Sequence, residues 1–174
     1  TPDISPDGTH IAAVQVSTDG TCELHILDAA TGKIVTATRS SDVILYTDPK
    51  FIDDNSVVTA IRLRNGKMSL AMVDILSGRT IRLTDPSFNV LGYPSVQDGK
   101  IFYTASYMGN DDVFALRLSD KKIFRISNGP FGNYFVNAAK GERTGSHFTA
   151  DGYQLQQRYE KNIFWKEIDT DALD

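Results

Sequence analysis

Apolar and polar residues alternate along this chain in short runs, and turn residues separate one run from the next. Ile11–Val16 and Cys22–Leu27 flank the turn Ser17–Gly20, Val57–Ile61 and Met68–Val73 flank Arg64–Gly66, and Ile101–Ala105 and Val113–Leu118 flank Tyr107–Asn110. A fourth pair, Thr144–Thr149 and Tyr153–Tyr159, flanks Ala150–Gly152 and is more polar than the others. Runs this short, rich in β-branched and aromatic residues, predict β-strands joined by hairpins. Asp-Gly and Asn-Gly accept the positive φ that tight hairpin turns require. One more short strand follows each pair, at Ile34–Thr38, Thr80–Thr84, Ile123–Ser127 and Ile163–Ile168. No window carries a helical period of useful length. The pattern predicts an all-β protein.

The turns keep one interval. Gly20, Gly66, Gly109 and Gly152 are spaced by 46, 43 and 43 residues. A second set, Gly8, Asn55, Gly99 and Gly141, is spaced by 47, 44 and 42. A period of about 43 residues with four short strands per unit matches a β-propeller blade. One such sheet cannot cover both of its faces, so blades pack face to face around an axis. The expectation is a single partial propeller domain over residues 1–174, with four antiparallel four-stranded repeats at about 1–40, 41–85, 86–128 and 129–170. An immunoglobulin-type sandwich is also all β, but it gives no reason for turns to recur at one interval.

Ser5-Pro6-Asp7-Gly8, then an apolar strand, an Asp-Gly turn and Leu24–Asp28, resemble the TolB-type propeller repeat, a relative of the WD40 repeat. The second repeat keeps Val73-Asp74, Ser77-Gly78 and Arg82-Leu83-Thr84. The third keeps Pro94, Asp98-Gly99 and Phe124–Ser127, and the fourth departs, with Lys140-Gly141 replacing Asp-Gly. The resemblance implies that the Pro-Asp-Gly turn joins the innermost strand of a blade to its second strand. On that reading the first repeat lacks its inner strand, because only Thr1–Ile4 precede the turn. Later inner strands fall near Ile44–Ile52, Gly92–Val96 and Asn133–Asn137. The chain then starts inside a blade and belongs to a larger ring. These motif residues build turns, so they specify fold and not a site.

Composition excludes more than it assigns. With 22 acidic and 18 basic residues the formal charge is −4, which argues against nucleic acid as a partner. No apolar stretch is long enough to span a membrane. Cys22 is the single cysteine, so no internal disulfide forms, and its place in an alternating strand reads as core. His10, His25 and His147 are the three histidines, none beside a serine elbow or a zinc-binding motif. The expectation is no enzyme, no cofactor and no metal site. Asp53-Asp54 and Asp111-Asp112 read as solvated turn residues, because neither has the spacing of a calcium loop.

One pattern points to binding. The loops entering each inner strand and the glycine turns emerge on one face of a propeller, and here they carry Tyr46, Phe88, Tyr93, Tyr107, Phe131 and Tyr134. Loop aromatics offer rigid contact area with a polar tip, which suits recognition. With the resemblance, this predicts a non-catalytic scaffold in the periplasm or cell envelope that binds a protein, peptide or glycan. The alternative is the gating propeller of a larger prolyl-oligopeptidase-like serine peptidase. The open ends of such an arc, with Ile11–Val16 as a free edge, predict self-association.

Overall fold

The computed structural model describes residues 1–128 and 132–169, and its strands form four antiparallel sheets. They fall into two compact units, Thr1–Phe88 and Asn89–Asp174. Among the described residues no helix is long and apolar enough to cross a membrane.

The first unit holds two four-stranded sheets in chain order. One is β1 (Asp3–Ile4), β2 (His10–Val16), β3 (Cys22–Asp28) and β4 (Ile34–Thr38). The other is β5 (Val43–Asp53), β6 (Ser56–Leu63), β7 (Met68–Asp74) and β8 (Thr80–Arg82). Gly20 and Gly66 turn the middle hairpins with φ of 83° and 86°, the region that favours glycine. The inner position that the sequence left empty in the first repeat holds a two-residue stub. β1 pairs only with Ile11 and Ala12, and Asp3 anchors it by accepting from Lys50 Nζ at 3.0 Å and the Phe51 amide at 2.9 Å.

Two turns of this unit are chemical copies. Asp28 Oδ1 accepts from the Thr31 amide and hydroxyl, both at 2.7 Å. Asp74 Oδ1 does the same for Ser77, at 2.7 and 2.6 Å, and each turn ends in a glycine at φ 68°. Those bonds hold both carboxyls below the usual carboxylate range. Between the sheets lies one core. Ala12, Cys22, Leu24 and Ile26 meet Tyr46, Phe51, Val57, Ile61, Ala71, Val73 and Ile75, all buried. Period-two alternation on β3 turns the apolar set inward.

The second unit departs from the meander. Its first sheet is β9 (Leu91–Gln97), β10 (Lys100–Ala105), β11 (Asp112–Arg117) and β12 (Ile123–Arg125). Its second is β13 (Asn133–Ala139), β14 (Glu142–Thr149) and β15 (Gly152–Tyr159). A 3-10 turn at Glu160–Asn162 leads to β16 (Lys166–Ile168). The repeat assigned this last strand to the fourth sheet, yet it pairs with β12 as the fifth strand of the third. The four sheets therefore hold four, four, five and three strands. Burial explains the change. Ile163 and Trp165 pack against the core cluster of Phe102, Val113, Ala115 and Ile126, whereas β15 exposes Tyr153, Leu155 and Tyr159 and offers no such cover. In the fourth hairpin Lys140 takes φ 51° before Gly141, matching Asp98 at φ 48° before Gly99. The departure from Asp-Gly keeps the turn.

Candidate functional site

The hairpin end of the second unit gathers the exposed rings of Tyr93, Phe148 and Tyr153. β9 and β10 lose register between Phe102 and Thr104, and the extra length on β9 contains Tyr93 and Pro94. Proline suits a bulge because it has no amide hydrogen to give the ladder. Tyr93 takes φ 53° there, a strained state for a non-glycine residue, and its side chain is 43% exposed.

Asp111 and Asp112 sit where the Gly109 turn enters β11. Alternation turns one in and one out, so the reading of both as solvated turn residues is wrong for Asp112. That residue is fully buried and forms an ion pair with Arg125. It also accepts from the Ser127 hydroxyl at 2.9 Å and the Asn133 amide nitrogen at 3.4 Å. Asn133 Oδ1 in turn lies 3.1 Å from His147 Nδ1, which fixes that nitrogen as the donor. A buried charge needs such a set of partners.

Asp111 turns outward and accepts the Tyr134 hydroxyl hydrogen at 2.7 Å. That bond is the main reason the Tyr134 pKa is pushed up to about 12, since the carboxylate opposes a tyrosinate beside it. Tyr93 and Tyr153 add smaller contributions of the same sign. Gly132 makes room for this ring: a Cβ there would clash with the Tyr134 hydroxyl oxygen. Tyr153 stands edge-on to Tyr134 at 5.9 Å and inclined to Phe148 at 5.1 Å. Tyr153 is 66% exposed and Phe148 43%. Tyr93, Tyr134, Phe148 and Tyr153 thus form an aromatic patch around one carboxylate.

The six aromatics singled out in the sequence scatter across several environments. Tyr93 and Tyr134 belong to the patch. Tyr107 is a core residue, edge-on to Phe114 at 4.9 Å, with its hydroxyl 3.4 Å from that of Tyr103. Tyr46 is 1% exposed and fills the core of the first unit. Neither ring is offered to solvent: Tyr46 sits on the covered face of β5, and Tyr107, in the turn after β10, folds back onto Phe114. Phe88, in the first unit, is 71% exposed with Lys67 Nζ 5.3 Å from its ring centre. Phe131 lies outside the described residues. Phe148 and Tyr153 were missed, although the Ala150–Gly152 turn makes them cross-strand partners.

Four antiparallel sheets recurring at one interval, with positive-φ hairpins, are β-propeller blades. Their architecture is TolB-like. The chain is similar to TolB from Acinetobacter baumannii, at 15% identity and a TM-score of 0.75, over 96% of this chain and 42% of that one. It is similar to a putative TolB from Agrobacterium tumefaciens, at 19% identity and a TM-score of 0.73, over 94% of this chain and 63% of that one. A puromycin-hydrolysing peptidase from Mycobacterium tuberculosis matches at 13% identity and a TM-score of 0.72, over 95% of this chain and 28% of that one. The chain spans less than two thirds of the length of each of these three proteins. No family model and no curated protein matches it.

Proposed function

We propose that this chain is a non-catalytic propeller scaffold of the cell envelope that binds a protein or peptide partner through the Tyr93, Tyr134, Phe148 and Tyr153 patch. The observation that carries the reading is the exposure of inclined rings around Asp111, a carboxylate with no cation partner among the described residues. Rings with polar tips bury large area at low entropic cost, and a single acid adds register. The likeness to TolB structures supports the envelope setting and a protein rather than a glycan ligand.

Peptides selected on the immobilised chain from a displayed library provide the test. Tyr93→Ala and Tyr153→Ala should each weaken the selected peptides by about 1–3 kcal/mol. Lys100→Ala, at the other end of β10, should leave them unchanged. Equal binding to all three variants would reject the patch. The likeness to a peptidase favours one alternative, a gating propeller for a serine hydrolase domain. A serine-elbow hydrolase encoded directly after Asp174 in the parent gene would favour that reading.

A further inference from the structure

Residues 163–168 leave the fourth sheet and complete the third. β16 runs antiparallel to β12, with Arg125 opposite Lys166, Phe124 opposite Glu167 and Ile123 opposite Ile168. Alternate residues of a strand face the same way. Ile163 and Trp165 turn onto the core, while Phe164 between them is 48% exposed. Trp165 stands edge-on to Phe124 at 5.7 Å and to Phe102 at 6.5 Å. Arg143 of β14 lies 4.6 Å from the Trp165 ring and 4.3 Å from the Phe102 ring. Further along, Lys122 Nζ reaches Glu167 at 2.8 Å.

These are the parts of a strand-addition site: a sheet edge, here filled by β16, a ladder of main-chain bonds, a pocket for one large ring and a charge that fixes register. Nothing in the repeat requires β16 to be there. Every earlier strand of the third sheet pairs with its sequence neighbour, and the outer side of β15 has no strand among the described residues.

We propose that the outer edge of β12, with the pocket of Phe102, Phe124 and Arg143 behind it, is a docking site for an extended segment of a partner protein. Residues 163–168 occupy it in cis and display the ligand chemistry. An apolar residue comes two positions before an aromatic one, and an acid comes two positions after. An aromatic residue fits the pocket because its ring meets Phe102 and Phe124 edge-on and the Arg143 guanidinium beside them. The acid is required because Lys122 faces it, with Arg117 4.9 Å from the Phe124 ring centre on the same stretch. A tethered strand holds its site at an effective concentration near the millimolar range. A partner segment enters when the cis strand is weakened or when its own affinity is higher. The site uses no residue of the Asp111 patch.

Trp165 is the only tryptophan in the chain, which makes the pocket readable. A synthetic peptide with the sequence of residues 162–168 is added to the full-length Trp165→Ala chain, so that all indole emission comes from the peptide. A saturable blue shift and a rise in anisotropy are expected. A peptide with lysine in place of Glu167 should bind about two- to fivefold more weakly, and a Lys122→Glu change in the Trp165→Ala chain should recover it. The Trp165→Phe chain keeps a ring in cis and should bind the peptide more weakly than Trp165→Ala. Far-UV circular dichroism confirms that both variants are folded. No indole response from either chain at about 1 mM peptide, above the range a tethered site must compete with, would overturn the proposal. Equal binding of a scrambled peptide would do the same. If the parent chain instead forms a dimer that Trp165→Ala abolishes, a second copy fills the edge and the partner-protein assignment fails.

Discussion

The Tyr134 hydroxyl donates to the Asp111 carboxylate at 2.7 Å, tying the inner strand of the fourth sheet to the hairpin end of the third. The phenol pKa is raised to about 12 in the fold, against about 10 in an unfolded chain. A raised value means that the folded form holds the proton more tightly. Its contribution to stability is therefore complete below about pH 10 and is lost as pH rises through about 12. In an ultraviolet titration, Asp111→Asn should return this tyrosine toward about 10. Gly132→Ala should do the same, because its Cβ would displace the ring. A Tyr134 value that stays near 12 in both variants would place the cause elsewhere.

Asp112 and Asp111 should differ sharply on removal. Asp112→Ala leaves Arg125, 23% exposed, without its buried partner and strips an acceptor from Ser127. The expected loss is about 3–5 kcal/mol by urea denaturation. Asp111→Ala, at a partly open position, should cost under about 1 kcal/mol. Equal losses would contradict the burial of Asp112.

Tyr46 should behave as core and not as a contact. Its hydroxyl is buried near Thr80 and the Ser40 backbone without a hydrogen bond of ordinary geometry. Removing that oxygen in Tyr46→Phe should change stability by less than about 1 kcal/mol, in either direction. Tyr46→Ala should cost about 3–5 kcal/mol by opening a cavity between the two sheets. Selected peptides should bind Tyr46→Phe as they bind the parent.

The outer side of β15 predicts self-association. It has no strand partner among the described residues, and Leu155 on it is 81% exposed beside Tyr153 and Tyr159. An uncovered edge of eight residues invites another strand. Light scattering over a roughly hundredfold dilution should show mass falling with concentration. Leu155→Lys should shift the chain toward monomer. A parent chain that is monomeric throughout would count against this expectation.

The fold was legible because turns must solve a local problem. Gly20, Gly66, Gly109 and Gly152 all adopt φ between 83° and 102°, a demand visible without any tertiary contact. Inner strands β5, β9 and β13 fall where Ile44, Gly92 and Asn133 placed them. The site was legible only in part. Tyr46 and Tyr93 look alike in sequence, but burial separates them, and burial depends on which sheet covers which face. Asp112 was misread because a carboxylate near a glycine turn is normally wet, and its partner Arg125 comes from another strand. β16 was misplaced because the repeat describes hydrogen-bonding order, whereas Trp165 follows the larger apolar surface.

That last strand gives the third sheet an unusual order of completion. The other sheets finish as soon as their own strands have emerged, since each strand pairs with the one just made. Arg125 finds Lys166 only after the whole fourth repeat has been synthesised. During translation the β12 edge and the ring pocket behind it stay open for the time needed to make a full blade. That edge is available to another strand before the chain's own segment can reach it, so slow translation through residues 129–162 should raise the yield of misjoined product more than a pause at any other repeat.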